Sequence, residues 1–283
     1  MFEGRTIPMR RHVGPAVRLI WLLCAMEVRA ERGARPQVRI VYQDPGPGDA
    51  SEIYREVRER RVLEGLRNLV SDLRLPRTLT LRMAGCGGEP NAWYVPRERT
   101  VTVCYDYIRD VRERAPSTVT PDGLTRQAAI FGGLAQVFLH EVGHALFDIL
   151  DIPVLGREED AADQFAALVV LRLPPAKARR VIDGGAHLFR SFTAEETAVQ
   201  AVLADSHGLF AQRLYNLLCL AYGSDRRAFA YLVDRASLPS ERAVECAAEY
   251  GQAADAMDRM LYRHLRGARL GRGQIRRAFR WIF

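Results

Sequence analysis

The chain has 283 residues, 48% hydrophobic and 27% charged, enough apolar material for a real core; this excludes wholesale disorder and a miniprotein held by disulfides alone. A single lysine, Lys177, stands among 41 basic residues, which face 34 acidic ones for a net charge of +7. That excess is terminal: residues 1–36 carry +4 and residues 259–283 carry +8, leaving 26 basic and 31 acidic residues, or −5, over residues 37–258. A nucleic-acid-binding face would set arginines among aromatics within the fold, so a mildly acidic body argues against a nucleic-acid partner.

In chain order, residues 1–30 place Arg5, Arg10 and Arg11 before the apolar run Leu19–Met26 and then Val28-Arg29-Ala30. This is the order of a secretory signal, and the run is too short to span a bilayer. A secreted, periplasmic or envelope location is therefore expected. Residues 37–42, 78–84 and 100–108 alternate with the period of strands, with Asn91–Val95 between the last two, and 51–73 carries apolar residues at helical spacing. Helical signals then follow over 124–150, 158–172, 194–204, 208–222, 225–235 and 251–266, with turns at Ile152-Pro153, Leu155-Gly156, Gly184-Gly185 and Tyr222-Gly223. Strands followed by helices give an α+β fold, with a sheet part over about 37–110 and a helical part over about 124–258. Residues 259–283 read as an Arg-rich tail, a basic helix or a solvated end able to touch anionic envelope lipids.

If Cys24 leaves with the signal, Cys86, Cys104, Cys219 and Cys246 remain, the even count of an exported protein. Of the pairings open to four cysteines, proximity in sequence favours Cys86 with Cys104 and Cys219 with Cys246. No C-x-x-C occurs, which argues against a cysteine zinc site.

Chemistry is concentrated in the 124–150 helix at His140-Glu141-Val142-Gly143-His144. Residues four apart share a helix face, so His140 and His144 can present imidazole nitrogens to one zinc ion. Glu141, about 100° round the helix, can activate the attacking water without taking a coordination position. Chance alone gives this spacing in roughly one such sequence in a hundred, so an accidental pair of histidines is a weak explanation. A catalytic zinc needs a third protein ligand and an open position. Glu158, Glu159 and Asp160 open the next helix; Glu159 alone has a carboxylate, Asp163, four residues on, where it can fix the outer nitrogen of a ligand histidine.

His140-Glu141-x-x-His144 followed by Glu159-x-x-x-Asp163 resembles the gluzincin metallopeptidases. More narrowly, the run from His140 to Gln164 is similar to an otherwise uncharacterised bacterial family of zinc metallopeptidases. That similarity extends to Cys86-Gly-x-x-x-Asn91-Ala92-Trp93-Tyr94, Cys104-Tyr105 and the stretch from His207 to Cys219. The resemblance implies a zincin-like fold over residues 31–258, one catalytic zinc, and an endopeptidase-type hydrolase acting on a peptide or protein substrate. It implies a substrate-binding edge strand at Asn91, Ala92 and Trp93, and an oxyanion donor at His207, supported by Asp205, with Tyr215 as the alternative donor. The other reading is a catalytically inactive zincin-fold protein that binds peptide or cell-envelope components.

Overall fold

The computed structural model describes residues 37–46, 48, 50–196, 203–267 and 272–282. The signal-like stretch, Cys24 and part of the 194–204 helix lie outside the described residues.

A four-stranded sheet has the order β1 (Val38–Tyr42), β2 (Leu79–Ala84), β4 (Thr100–Cys104), β3 (Ala92–Val95). β1, β2 and β4 run parallel, and β3 is antiparallel at the edge. Register puts Ile40, Leu81, Val103 and Ala92 on the core side and Val41, Arg82, Thr102 and Trp93 on the other, as the period of two requires. The helices are α1 (Ala50–Glu59), α2 (Val62–Val70), α3 (Tyr105–Arg114), α4 (Arg126–Ile149), α5 (Glu158–Val170), α6 (Pro175–Thr193), α7 (Phe210–Ser224), α8 (Tyr231–Asp234), α9 (Ser240–Ala243), α10 (Cys246–Tyr262) and α11 (Arg272–Ala278). The fold is α+β, a small sheet with a mainly helical remainder.

α4 is the central element. Thr125 caps its start by accepting from the Ala128 N–H, and most of its apolar residues are buried, including Phe138, Leu139, Val142 and Leu146. By length and composition α4 also qualifies as a membrane span, but 78% of that stretch is buried inside the fold, which makes it a core helix. Asp151 and Gly156, both at positive φ, break the chain so that α5 can return against α4.

Several boundaries differ from expectation. The 51–73 segment divides at Arg61, whose φ of 56° ends α1 and begins α2. The alternation of 100–108 stops at Cys104, because Tyr105, Ile108 and Val111 are also three apart and bury one face of α3. Gly184-Gly185 is no turn but lies within α6, where the absence of side chains lets two helices touch. A Cβ on Gly132 would stand 2.6 Å from the Gly184 Cα, and one on Gly184 would run into the Ala128 carbonyl. Residues 225–235 supply only the four-residue α8.

The Arg-rich end is likewise no solvated tail over its described part. Ile275, Ala278, Phe279, Trp281 and Ile282 are buried, while Arg276, Arg277 and Arg280 remain outside. Trp281 meets Phe131 and Phe138 of α4 edge-on at 6.0 and 6.2 Å. Gly65 of α2 leaves room for it, since a Cβ there would lie 2.6 Å from the Trp281 ring. Upstream, Arg74 N–H donates to His264 O and Arg266 N–H to Asp72 O. Trp281→Ala is therefore expected to cost about 3–5 kcal/mol in urea unfolding; an unchanged transition would mean that the end of the chain does not brace α4.

Disulfides join Cys86 to Cys104 and Cys219 to Cys246. The first ties the approach to β3 to the end of β4, and the second ties α7 to α10. Paired cysteines are the usage of an oxidising compartment.

Candidate metal centre

α4 and α5 approach closely where Gly143 faces Ala162 and Phe165; a Cβ on Gly143 would sit 3.3 Å from both. This contact carries the first turn of α5 to the histidine face of α4. The acidic residues there suit a helix N-terminus, and each has a different partner. Glu159 Oε2 lies 3.0 Å from His140 Nε2 and 3.3 Å from His144 Nε2, and those two nitrogens are 3.1 Å apart. Glu158 Oε1 sits 2.7 Å from the outer nitrogen of His144. Asp160 turns away to Arg157 at 2.9 Å.

Asp163 Oδ1 lies 2.9 Å from His140 Nδ1. The same carboxylate accepts two bonds from Arg213 of α7, Nε to Oδ2 at 2.7 Å and Nη2 to Oδ1 at 2.9 Å, and one from Gln136 Nε2 at 3.3 Å. The Arg213 guanidinium packs over the rings of Phe189 and Phe210. Arg213 and Glu158 are the supporting groups that the sequence did not assign. Each occupies a group already fixed by the motif, but the pairing of Arg213 with Asp163 spans 50 residues and depends on how α7 docks.

His207 stands on the loop before α7. Asp205 Oδ1 accepts from the His207 backbone N–H at 2.8 Å and lies 2.9 Å from its Nδ1. His207 Nε2 reaches Glu159 Oε2 at 2.8 Å. Tyr215 is not brought to this cluster: two positions beyond Arg213, it leaves the helix about 200° round from it and is exposed. Glu141 is 7% exposed, within the fields of His140, His144, Glu159 and His207.

Charges follow from these contacts. Burial opposes the charged form of His140, but the carboxylates of Asp163 and Glu159 outweigh it and raise its pKa to about 9. Burial likewise opposes the charge on Glu159, yet the three facing imidazoles hold its carboxyl far below the usual carboxylate range. Burial raises the Glu141 carboxyl, partly offset by His140 and His144. Asp163, though buried, is held low by Arg213 and then His140.

The donor set suits a divalent ion. Three imidazole Nε2 atoms converge on one carboxylate oxygen, which has too few lone pairs to serve all three as hydrogen-bond donors. Each of those rings has its other nitrogen against an acceptor-only carboxylate, so in its neutral form it keeps the proton on Nδ1 and turns the Nε2 lone pair inward. Ligand atoms on a tetrahedral zinc stand roughly 3.3 Å apart; the separations of 3.0, 3.1 and 3.3 Å among His140, His144 and Glu159 are close to that edge.

At the sheet, Cys104 N–H donates to Asn91 O at 3.0 Å. Bonded pairs alternate along an antiparallel ladder, so Asn91, Trp93 and Val95 direct their backbone groups to β4, and Ala92 and Tyr94 direct theirs to the outer edge, which pairs with no other strand among the described residues. The Asn91 side chain accepts from the Ala92 N–H at 2.8 Å. Tyr94 donates its hydroxyl to Asp148 at 2.5 Å, fixing this edge to α4 one turn beyond His144.

A family model described as Putative metallopeptidase matches residues 42–261. No curated protein and no solved structure matches the chain. Because the family match runs from the end of β1 almost to the end of α10, and so takes in every element that supplies the cluster, the chain belongs to this metallopeptidase family, DUF4344.

Proposed function

We propose that the protein is an exported, zinc-dependent endopeptidase with a zincin-like domain. The observation that carries this reading is the convergence of His140, His144 and Glu159 beside the buried carboxyl of Glu141. His140, His144 and Glu159 would hold the ion, which when bound polarises the scissile carbonyl and makes water acidic enough to attack near neutral pH. Glu141 takes the proton of the attacking water and passes it to the leaving amine. Its burial supports that role, because a raised carboxyl pKa lets one group act first as base and then as acid. His207, aligned by Asp205, donates to the oxygen that gains charge; such a donor is worth ~3–4 kcal/mol elsewhere. Tyr215 is left out of the role by its position.

The substrate backbone would pair with the Ala92 carbonyl and the Tyr94 backbone groups on the outer edge of β3. Backbone pairing recognises an extended chain rather than a terminus, which favours cleavage of internal bonds. Complete zinc removal by a chelator is expected to abolish hydrolysis of an unfolded protein substrate, and one equivalent of zinc to restore it. Hydrolysis by the metal-free protein would contradict the proposal.

A further inference from the structure

We propose that His207 is a fourth, displaceable ligand of the ion in the substrate-free protein. This rests on the reading that His140, His144 and Glu159 hold a metal. His207 Nε2 is 2.8 Å from Glu159 Oε2, nearer than the nitrogens of His140 and His144 at 3.0 and 3.3 Å. Two triads thus share His140 and Glu159. One is completed by His144 at the separations given above; the other is completed by His207, with its ligand atoms all within 4.8 Å of one another. The His207 ring also lies nearly parallel to that of His140, at 20° with centroids 5.9 Å apart.

Its hydrogen bonds favour a ligand over a donor. Asp205 is an acceptor and lies against Nδ1, so a neutral His207 carries its proton there and presents a lone pair at Nε2. His140 and His144 show the same arrangement, with Asp163 and Glu158 in the place of Asp205. The three differ in their support. His140 and His144 project from the buried helix α4, whereas His207 is 44% exposed on a loop, held by Asp205 within two residues of itself. A ligand so placed can leave without unfolding any helix.

Four protein ligands make a closed site, and catalysis requires an open position. The resting protein would therefore be closed, and the arriving peptide would displace His207. The freed ring would then stand beside the site, where, once it takes up a proton from solvent at Nε2, it can donate to the developing oxyanion.

Zinc K-edge X-ray absorption on the zinc-loaded full chain counts the imidazoles directly, and chelator competition gives the zinc Kd. Three imidazoles per zinc are expected in the wild type and two in His207→Ala, with Kd raised about tenfold or more. Two imidazoles in the wild type would overturn the inference whatever the affinity does, and would leave the three-ligand site standing. A wild type that binds no zinc, or a His140→Ala variant that binds it as tightly as the wild type, would instead remove the metal-site reading itself. His207 is exposed on a loop, so its removal should leave the melting transition of the metal-free protein in place.

Discussion

Glu141→Gln is expected to keep one zinc per chain and the wild-type melting transition while hydrolysis falls about 10²–10⁴-fold, the usual contribution of a positioned general base. Glutamine has the same shape and stays neutral, so the apolar packing around a side chain 7% exposed is preserved. What it lacks is a lone pair basic enough to take the proton of water. At 1.36 kcal/mol per tenfold, the loss corresponds to about 3–5 kcal/mol of transition-state stabilisation. Activity equal to the wild type with zinc in place would remove Glu141 from the reaction. Loss of zinc along with activity would make it a structural residue instead.

Arg213→Leu is expected to act on both stability and metal binding, although Arg213 is a supporting residue here. Asp163 and Arg213 side chains are only 14% and 12% exposed, and the guanidinium bonds both carboxylate oxygens. Removing the cation leaves a buried carboxylate short of a partner, which costs about 3–5 kcal/mol where such pairs have been broken. Asp163 also orients His140, so the zinc Kd should rise about 10–100-fold. Arg213→Lys restores the charge without the two-pronged geometry and should recover part of the stability. Urea unfolding and chelator competition read the two effects separately. A change below about 1 kcal/mol in stability with an unaltered Kd would show that Arg213 supports neither.

The parts of the site that could be read from sequence are those fixed by one helix or one turn. His140 and His144 share a face because they are four apart, as do Glu159 and Asp163, and Asp205 reaches His207 across two residues. Glu158 lay in view but as a rival ligand; only the packing of α5 on α4 separates the carboxylate that meets Nε2 from the one that meets Nδ1. Arg213 carries no local mark, since its role comes from docking α7 beside α5. The fold shows the same division. Strand cores and the limits of α4 follow from periodicity and a cap, whereas Gly184-Gly185 reads as a turn until Gly132 is known to cross it. At the end of the chain, arginines dominate the composition, yet Ile275, Phe279 and Ile282 recur at helical spacing on the buried side.

The central claim is that His140, His144 and Glu159 form a zinc site, and metal analysis of the purified wild type beside His140→Ala tests it most directly. About one zinc per wild-type chain, lost or held far more weakly in His140→Ala, is predicted, since His140 is one of the two imidazoles fixed on the buried helix α4. Wild-type protein that holds no metal even after zinc loading would contradict it.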